Sequence, residues 1–100
     1  MSIIVEIAID PIGTCSSSVG DLISLAVKTI SGLGLKYQVG PMGTSFELDS
    51  LSKLGSVLST IHDELYKAGV KRIVTTVRID DRRDKEETME YKVKRASGMS

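Results

Sequence analysis

The order of two hydrophobic patterns along the chain constrains its fold more than any other feature of the sequence. Apolar residues at every second position are typical of strands, and apolar residues at steps of three and four are typical of helices. Four segments have strand character: residues 3–9, 36–39, 44–48 and 71–80. Two segments have helical spacing: residues 19–33 and 51–65. The chain is therefore expected to run strand, helix, strand, strand, helix, strand.

This order predicts an α+β fold, the ferredoxin-like βαββαβ sandwich. Right-handed crossovers place both helices on one face of an antiparallel four-stranded sheet. Gly40 and Gly43 around Pro41 predict the hairpin turn between the second and third strands. After a charged turn, residues 88–95 predict a short extra C-terminal helix held by Met89 and Val93. A chain of 100 residues is enough for one domain, which we expect to span residues 1–100.

The composition argues against several classes of function. Thirteen Lys and Arg residues balance thirteen Asp and Glu residues, so the basic excess typical of nucleic-acid binding is missing. A single cysteine, Cys15, cannot form an internal disulfide and fits a reducing compartment. No apolar run has the length of a signal sequence or of a membrane span. We therefore expect a cytoplasmic protein with no nucleic-acid or membrane partner.

The sheet face opposite the helices mixes apolar, small and charged residues. We place these residues on it: Ile4, Glu6, Ala8, Gln38, Ser45, Glu47, Val74, Thr76 and Arg78. A face meant only for water would carry more charge, so this face or a sheet edge is expected to be buried against another copy of the chain. The alternative is an exposed sheet with scattered apolar residues, which is common.

Residues that could carry catalysis or bind a metal are few. His62 and Cys15 are the only soft ligands, and no acid–base pair or activated nucleophile has a convincing spacing. We therefore expect no enzyme activity, no metal and no cofactor. The charged run 80–84 lacks the spacing of a calcium loop and is predicted to be a solvated turn with local ion pairs.

Pro11 and Gly13 follow the first strand and are expected to end it. The loop 13–18 then leads into a helix that Ser18 and Asp21 would begin as a capping box. Such a loop can cradle an anion or be simply capped, and the absence of a P-loop ending favours the second interpretation.

Two threonines, Thr44 and Thr75, are predicted to face the helices. A buried hydroxyl must find a hydrogen-bond partner. Both hydroxyls could bond neighbouring backbone, or they could line a small polar pocket beside Phe46 that suits a flat heteroaromatic ligand.

Several segments resemble a known family. They are residues 40–44 (Gly-Pro-Met-Gly-Thr), 69–72 (Gly-Val-Lys-Arg) and, most specific, 74–85 (Val-Thr-Thr-Val-Arg-Ile-Asp-Asp-Arg-Arg-Asp-Lys). Residues 9–13 and 89–94 are similar as well, so the likeness covers nearly the whole chain. It is to the thiamine-binding-protein-like family of small ferredoxin-like proteins. One departure is Leu48, which stands where the family pattern usually has Gly.

The resemblance implies a homotetramer assembled through its sheets. It also implies binding of thiamine or its hydroxymethylpyrimidine part, without known catalysis. The residues that match the family's motif positions are Ser18, Thr44, Glu47, Thr75 and Thr76. A different class of function, a structural or regulatory interaction module without a small ligand, stays open.

An aminopyrimidine offers amino donors and ring-nitrogen acceptors. A carboxylate, Asp10 or Glu47, together with hydroxyls could meet that pattern, and Phe46 could stack on the ring. In an ideal strand Glu47 points away from Thr44, so one of the two is expected to serve an interface instead.

Overall fold

The computed structural model describes residues 2–13 and 19–98 and shows a four-stranded antiparallel sheet with three helices. The elements, in chain order, are β1 Ile3–Ile12, α1 Val19–Gly32, β2 Tyr37–Val39, β3 Thr44–Leu48, α2 Leu54–Lys67, β4 Arg72–Asp80 and α3 Met89–Ala96. The strand order is β2-β3-β1-β4. Crossovers through α1 and α2 produce this order, which confirms the predicted ferredoxin-like fold. In the described part of the chain, no helix is long and apolar enough to span a bilayer.

The core lies between the inner face of the sheet and the helices α1 and α2. Strand residues at alternate positions point inward and helix residues at steps of three and four meet them. The buried residues of these elements include Val5, Ile7, Phe46, Leu48, Leu22, Ala26, Ile30, Val57, Ile61 and Leu65. Ser50 begins a short 3-10 turn, Leu51–Lys53, by accepting the N–H of Ser52, and α2 follows directly.

The sequence pattern places Leu33 and Leu51 on the apolar faces of the helices and Ile79 on the inner face of β4. In the structure Leu33 and Leu51 are exposed, whereas Val57, which that pattern does not include, is buried. Ile79, expected to be covered, is 46% exposed. β4 is an edge strand, and its other inner-face residues are only half buried.

The sequence predicts that strand β1 ends before Pro11, but in the structure the strand continues to Ile12. It pairs with β4 from Ile4–Asp80 to Ile12–Arg72, whereas its pairing with β3 stops at Ile7–Thr44. A proline in a strand is tolerated where its missing N–H faces a side without a partner strand. Among the described residues, no strand pairs with the second half of β1 on the β3 side, so this half provides such a side.

Helix α3 covers part of the outer face, so this face is less open than predicted. Met89 is buried, and the N–H of Met89 donates to Oε2 of Glu47 at 3.1 Å. Thr88 caps the helix by accepting the N–H of Tyr91. Val93, expected to help hold α3, is exposed, so Met89 is the apolar anchor of this helix.

Candidate functional site

A partly enclosed cavity lies at the end of the sheet where β1 extends beyond β3. Its volume is about 300 Å³, and its walls are the second half of β1, the first turns of α1 and the β2–β3 turn. β3 pairs with β1 only as far as Ile7, so the space beside residues 8–10 holds no strand among the described residues. The unequal lengths of the two strands therefore open the cavity.

The cavity is lined mainly by apolar side chains. Ile9 contributes from β1, Ile23 and Ala26 from α1, and Pro41 and Met42 from the turn. The polar side chains among its described lining residues are those of Asp10 and Thr44. Thr44 is buried, so the cavity has one inner hydroxyl, whereas Asp10 is exposed and its pairing with Val74 places its side chain on the outer side of the sheet.

The backbone of β1 adds hydrogen-bonding groups to this site. Both main-chain groups of a residue in an antiparallel strand point to the same side, and successive residues alternate sides. A Cβ built on Gly43 would lie 2.8 Å from the carbonyl oxygen of Ile7, so Ile7 points its oxygen towards the β3 side. By alternation, the N–H and C=O of Ile9 point to that side too, beyond the last β1–β3 pair.

The β2–β3 turn forms the lip of the cavity and is held close to β1. Within this turn, the N–H of Gly40 donates to the carbonyl oxygen of Gly43 at 2.8 Å. The close approach to Ile7 leaves no room for a side chain at Gly43. Met42 is 86% exposed on this lip, where its flexible thioether is available to a ligand.

Glu47 and Thr76 lie on the outer face, across the sheet from the cavity. Glu47 bonds the first turn of α3, and Nζ of Lys36 lies 3.8 Å from its Oε2. Thr76 pairs with Ala8 in the register between β1 and β4. The expectation that Thr44 and Glu47 point to opposite faces is confirmed, and Glu47 contacts α3 of the same chain.

Phe46 and Thr75 face the helices but do not line the cavity. Phe46 is completely buried in the core, so no ring face is open to a ligand there. Oγ1 of Thr75 lies 2.8 Å from Nε2 of His62 on α2, so this hydroxyl has a histidine partner rather than a pocket. The predicted pocket beside Phe46 is thus corrected to one beside Thr44 and Asp10.

Ser18, its capping box with Asp21 and most of the loop 13–18 with Cys15 lie outside the described residues. Of the seven residues predicted for a ligand site, the structure brings Asp10 and Thr44 together. The apolar wall of Ile23, Ala26 and Met42 escaped the sequence analysis. Its signals were the Gly-Pro-Met-Gly turn and the apolar face of α1.

The charged run after β4 contains the ion pairs that were predicted. Nε of Arg82 donates to Asp84 at 2.7 Å, and Arg83 donates to Asp81 at 2.8 Å. These hydrogen bonds lower the pKa of the Asp81 and Asp84 carboxyls below their usual range. Within residues 2–13 and 19–98, no three His, Cys, Asp or Glu residues are grouped as metal ligands.

The fold and the cavity define a small α+β protein with a ligand-sized apolar pocket at one end of an antiparallel sheet. Residues 5–97 match the family model described as thiamine-binding protein. The chain therefore belongs to the thiamine-binding protein family.

Relatives of known sequence carry the name UPF0045 protein. One from Bacillus subtilis is 39% identical over 94 residues, which are 90% of this chain and 89% of the relative. Another from Methanothermobacter thermautotrophicus is 35% identical over 88 residues, which are 88% of this chain and 89% of the relative.

Solved structures share the fold. A hypothetical protein from Methanocaldococcus jannaschii has a TM-score of 0.81 and 29% identity, covering 99% of this chain and 98% of its own. A Thermotoga maritima protein, described as a candidate thiamine biosynthesis/salvage protein, has a TM-score of 0.79 and 26% identity. That comparison covers 96% of this chain and 99% of the other.

Proposed function

We propose that this protein binds thiamine, or its hydroxymethylpyrimidine part, in the cavity at the end of β1 and releases it unchanged. The observation that carries the proposal is a cavity of about 300 Å³ with Asp10 and Thr44 on its wall, in a chain of the thiamine-binding protein family. Sites for small molecules start at about this volume and combine apolar walls with a few polar groups.

The main chain at Ile9 matches the hydrogen-bonding edge of an aminopyrimidine. The ring nitrogen accepts the N–H of Ile9, and the exocyclic amino group donates to the C=O of the same residue. This pairing imitates the one that a further strand would make with β1. The hydroxyl of Thr44 can serve a second ring nitrogen, because a hydroxyl both donates and accepts.

The apolar wall supplies the affinity for the flat ring. Ile23, Ala26 and Pro41 surround the space into which the ring would enter. Burial of apolar surface contributes about 25 cal/mol per Å² before the cost of ordering the ligand. Apolar contacts with the aliphatic side chains thus stabilise the bound aromatic ring, and the polar groups recognise its edge by hydrogen bonding.

The side chains of the cavity favour binding without chemical change. Asp10 is the one ionisable side chain among its described lining residues, and no second acid, base or nucleophile accompanies it there. General acid–base catalysis and covalent catalysis both need such a partner group.

Isothermal titration with thiamine and with hydroxymethylpyrimidine tests the proposal. We expect binding of both by the wild-type protein. Ala26→Leu, which fills the cavity from α1, should weaken both ligands by about tenfold or more. Ala68→Leu adds the same side chain at an exposed position and should keep the wild-type affinity. No heat and no thermal shift with either ligand would refute the proposal and favour an interaction module instead.

The proposal includes a cytoplasmic homo-oligomer, a tetramer, assembled through the sheet. In support, the outer face beyond α3 carries the apolar side chains of Ile4, Ala8 and Val74, and the formal net charge is zero. Exposed apolar patches mark contacts, and a neutral protein lacks repulsion between copies. Sedimentation should show a tetramer that Val74→Glu dissociates, whereas Val93→Glu on α3 should not. A monomer at micromolar concentration would contradict the assembly.

A further inference from the structure

Strand β4 forms a long edge of the sheet. It runs from Arg72 to Asp80 at one end of the strand order, and among the described residues no strand pairs with it on the side away from β1. The opposite edge strand, β2, has only three residues. An unpaired edge is a template for another strand, and proteins usually protect it with a proline, a bulge or an inward-pointing charge.

These protections are missing from β4. Residues 72–80 contain no proline, and their pairing with β1 runs without interruption. The side chains on the inner face of β4 carry no charge: Ile73, Thr75, Val77 and Ile79. Ile79 among them is 46% exposed. An apolar and unprotected edge of this length is expected to be covered by another strand.

The main-chain groups of β4 alternate between its two sides. Those of Ile7 and Ile9 in β1 point towards β3, so the even-numbered residues of β1 bond the even-numbered residues of β4 that they face. The odd-numbered residues of β4, from Ile73 to Ile79, therefore point their N–H and C=O groups to the open edge. An added antiparallel strand has to bond these residues.

A second copy of β4 meets this condition in a register that also matches the charges. When a two-fold axis passes through Thr76, Ile73 lies opposite Ile79 of the partner subunit and both bond across the edge. Arg72 then lies opposite the partner's Asp80, and the symmetry repeats this pair at the other end of the strand. Opposite charges at directly facing positions stabilise a strand pair.

The neighbouring registers match less well. An axis at Thr75 would set Arg72 directly against Arg78 of the partner subunit, and an axis at Val77 would leave Arg72 beyond the end of the partner's strand. An axis between two residues is excluded, because odd-numbered residues would then face even-numbered ones whose main-chain groups already bond β1. The register centred on Thr76 is therefore favoured.

We infer that β4 pairs with β4 of a second copy of this chain, antiparallel and centred on Thr76, so that two four-stranded sheets join into one. The inference rests on the proposed assembly and deepens it, and it does not depend on the ligand. A two-fold contact through the outer face joins only two copies, so a tetramer needs a second kind of contact. The edge of β4 supplies that contact.

A charge swap tests the register. Arg72 and Asp80 of one chain lie about 26 Å apart along β4, so they cannot pair with each other within it. Sedimentation of proteins that also carry Val74→Glu, which blocks the outer face, follows the dimer formed by β4. Arg72→Asp and Asp80→Arg should each weaken this dimer by about tenfold, because each sets like charges opposite each other at both ends. The double variant restores opposite charges and should lie within about threefold of the unswapped protein.

A second variant tests the apolar part of the edge. Ile79→Lys places a charge against Ile73 of the partner subunit and should also weaken the dimer. The matched control is Lys28→Asp, which reverses a charge at an exposed position of α1 and should leave the association unchanged. Asp80 accepts a hydrogen bond from Lys92 in its own chain, so thermal unfolding of each variant checks that the fold is retained.

The outcomes separate the register, the edge contact and the proposed function. A double variant that associates as weakly as the single variants would overturn the register. Unchanged association of folded Arg72→Asp and Ile79→Lys proteins would overturn the edge contact alone. A monomeric wild type at micromolar concentration would overturn the proposed assembly together with this inference. Titration of the same samples with thiamine tests the ligand proposal separately, and the variants of β4 should keep the wild-type affinity.

Discussion

The two faces of the sheet use neighbouring residues of β3 in opposite ways. Phe46 points inward and is completely buried between the sheet and the helices, whereas Glu47 points outward and accepts the N–H of Met89. The inner face is apolar and contains the cavity, and the outer face is charged and holds α3. Residues that are adjacent in one sequence motif can therefore have separate tasks, because a strand sends successive side chains to opposite sides.

The largest expected effect concerns the inner face. Phe46→Ala should lower the free energy of unfolding by about 3–5 kcal/mol, since it removes a fully buried ring from a packed core. Denaturant unfolding measures this loss. The milder Phe46→Leu should keep enough stability to show wild-type affinity for thiamine, because Phe46 does not line the cavity. Loss of thiamine binding by a folded Phe46→Leu protein would place the ligand next to this ring. It would contradict the assignment of Phe46 to core packing alone.

A smaller effect is expected on the outer face. Glu47→Gln should cost about 1–2 kcal/mol, because a neutral amide oxygen replaces a charged acceptor for the N–H of Met89. Amide hydrogen exchange should become faster in α3 and stay unchanged in α1. Glu64→Gln on α2 is the matched control, and it should leave α3 protected. Slower binding or weaker affinity for thiamine in Glu47→Gln would show that the two faces are coupled.

The smallest expected effect depends on pH. The hydrogen bond from Lys36 lowers the pKa of the Glu90 carboxyl below its ordinary value of 4.5. A lowered pKa in the folded state means that this contribution is present above the ordinary pKa and is lost as the pH falls through the folded pKa. The urea midpoint of Glu90→Gln should therefore lie below that of the wild type at pH 7, and the difference should disappear as the pH falls through the lowered pKa of Glu90. A difference that persists in acid would assign the effect to packing instead of charge.

The local patterns of the sequence were sufficient to predict the elements and their order. The alternation of Val5 and Ile7 in β1 and the glycines around Pro41 act over a few residues, so they can be recognised without the fold. The strand order was predictable as well, because it follows from the fixed handedness of the crossovers. The end of β1 was not predictable, because the extension of this strand past Pro11 depends on pairing with Arg72 and Ile73, which lie far along the chain.

The candidate site was predicted only in part. Asp10 and Thr44 were selected as polar groups near strand ends, and the structure places both on the cavity. Their shared space comes from the different lengths of β1 and β3, a property of the sheet that residue types do not reveal. Likewise, the partner of Thr75 is a histidine thirteen residues away. Contacts between distant segments decide whether a buried hydroxyl serves packing or recognition.

Pro11 has a further consequence for the part of β1 that pairs with no described strand on the β3 side. An extended backbone edge without a partner strand is a template on which another chain can add itself, the first step of aggregation. By the alternation that places the main-chain groups of Ile9 on this side, the nitrogen of Pro11 is turned to the same side and carries no hydrogen to donate. A second strand that added itself here could hydrogen-bond to β1 at Ile9 only, because Pro11 interrupts the ladder at the next residue on this side. A ring-sized molecule needs only the main-chain groups of Ile9, so Pro11 does not weaken its binding. The edge can thus accept a small guest and still resist sheet growth.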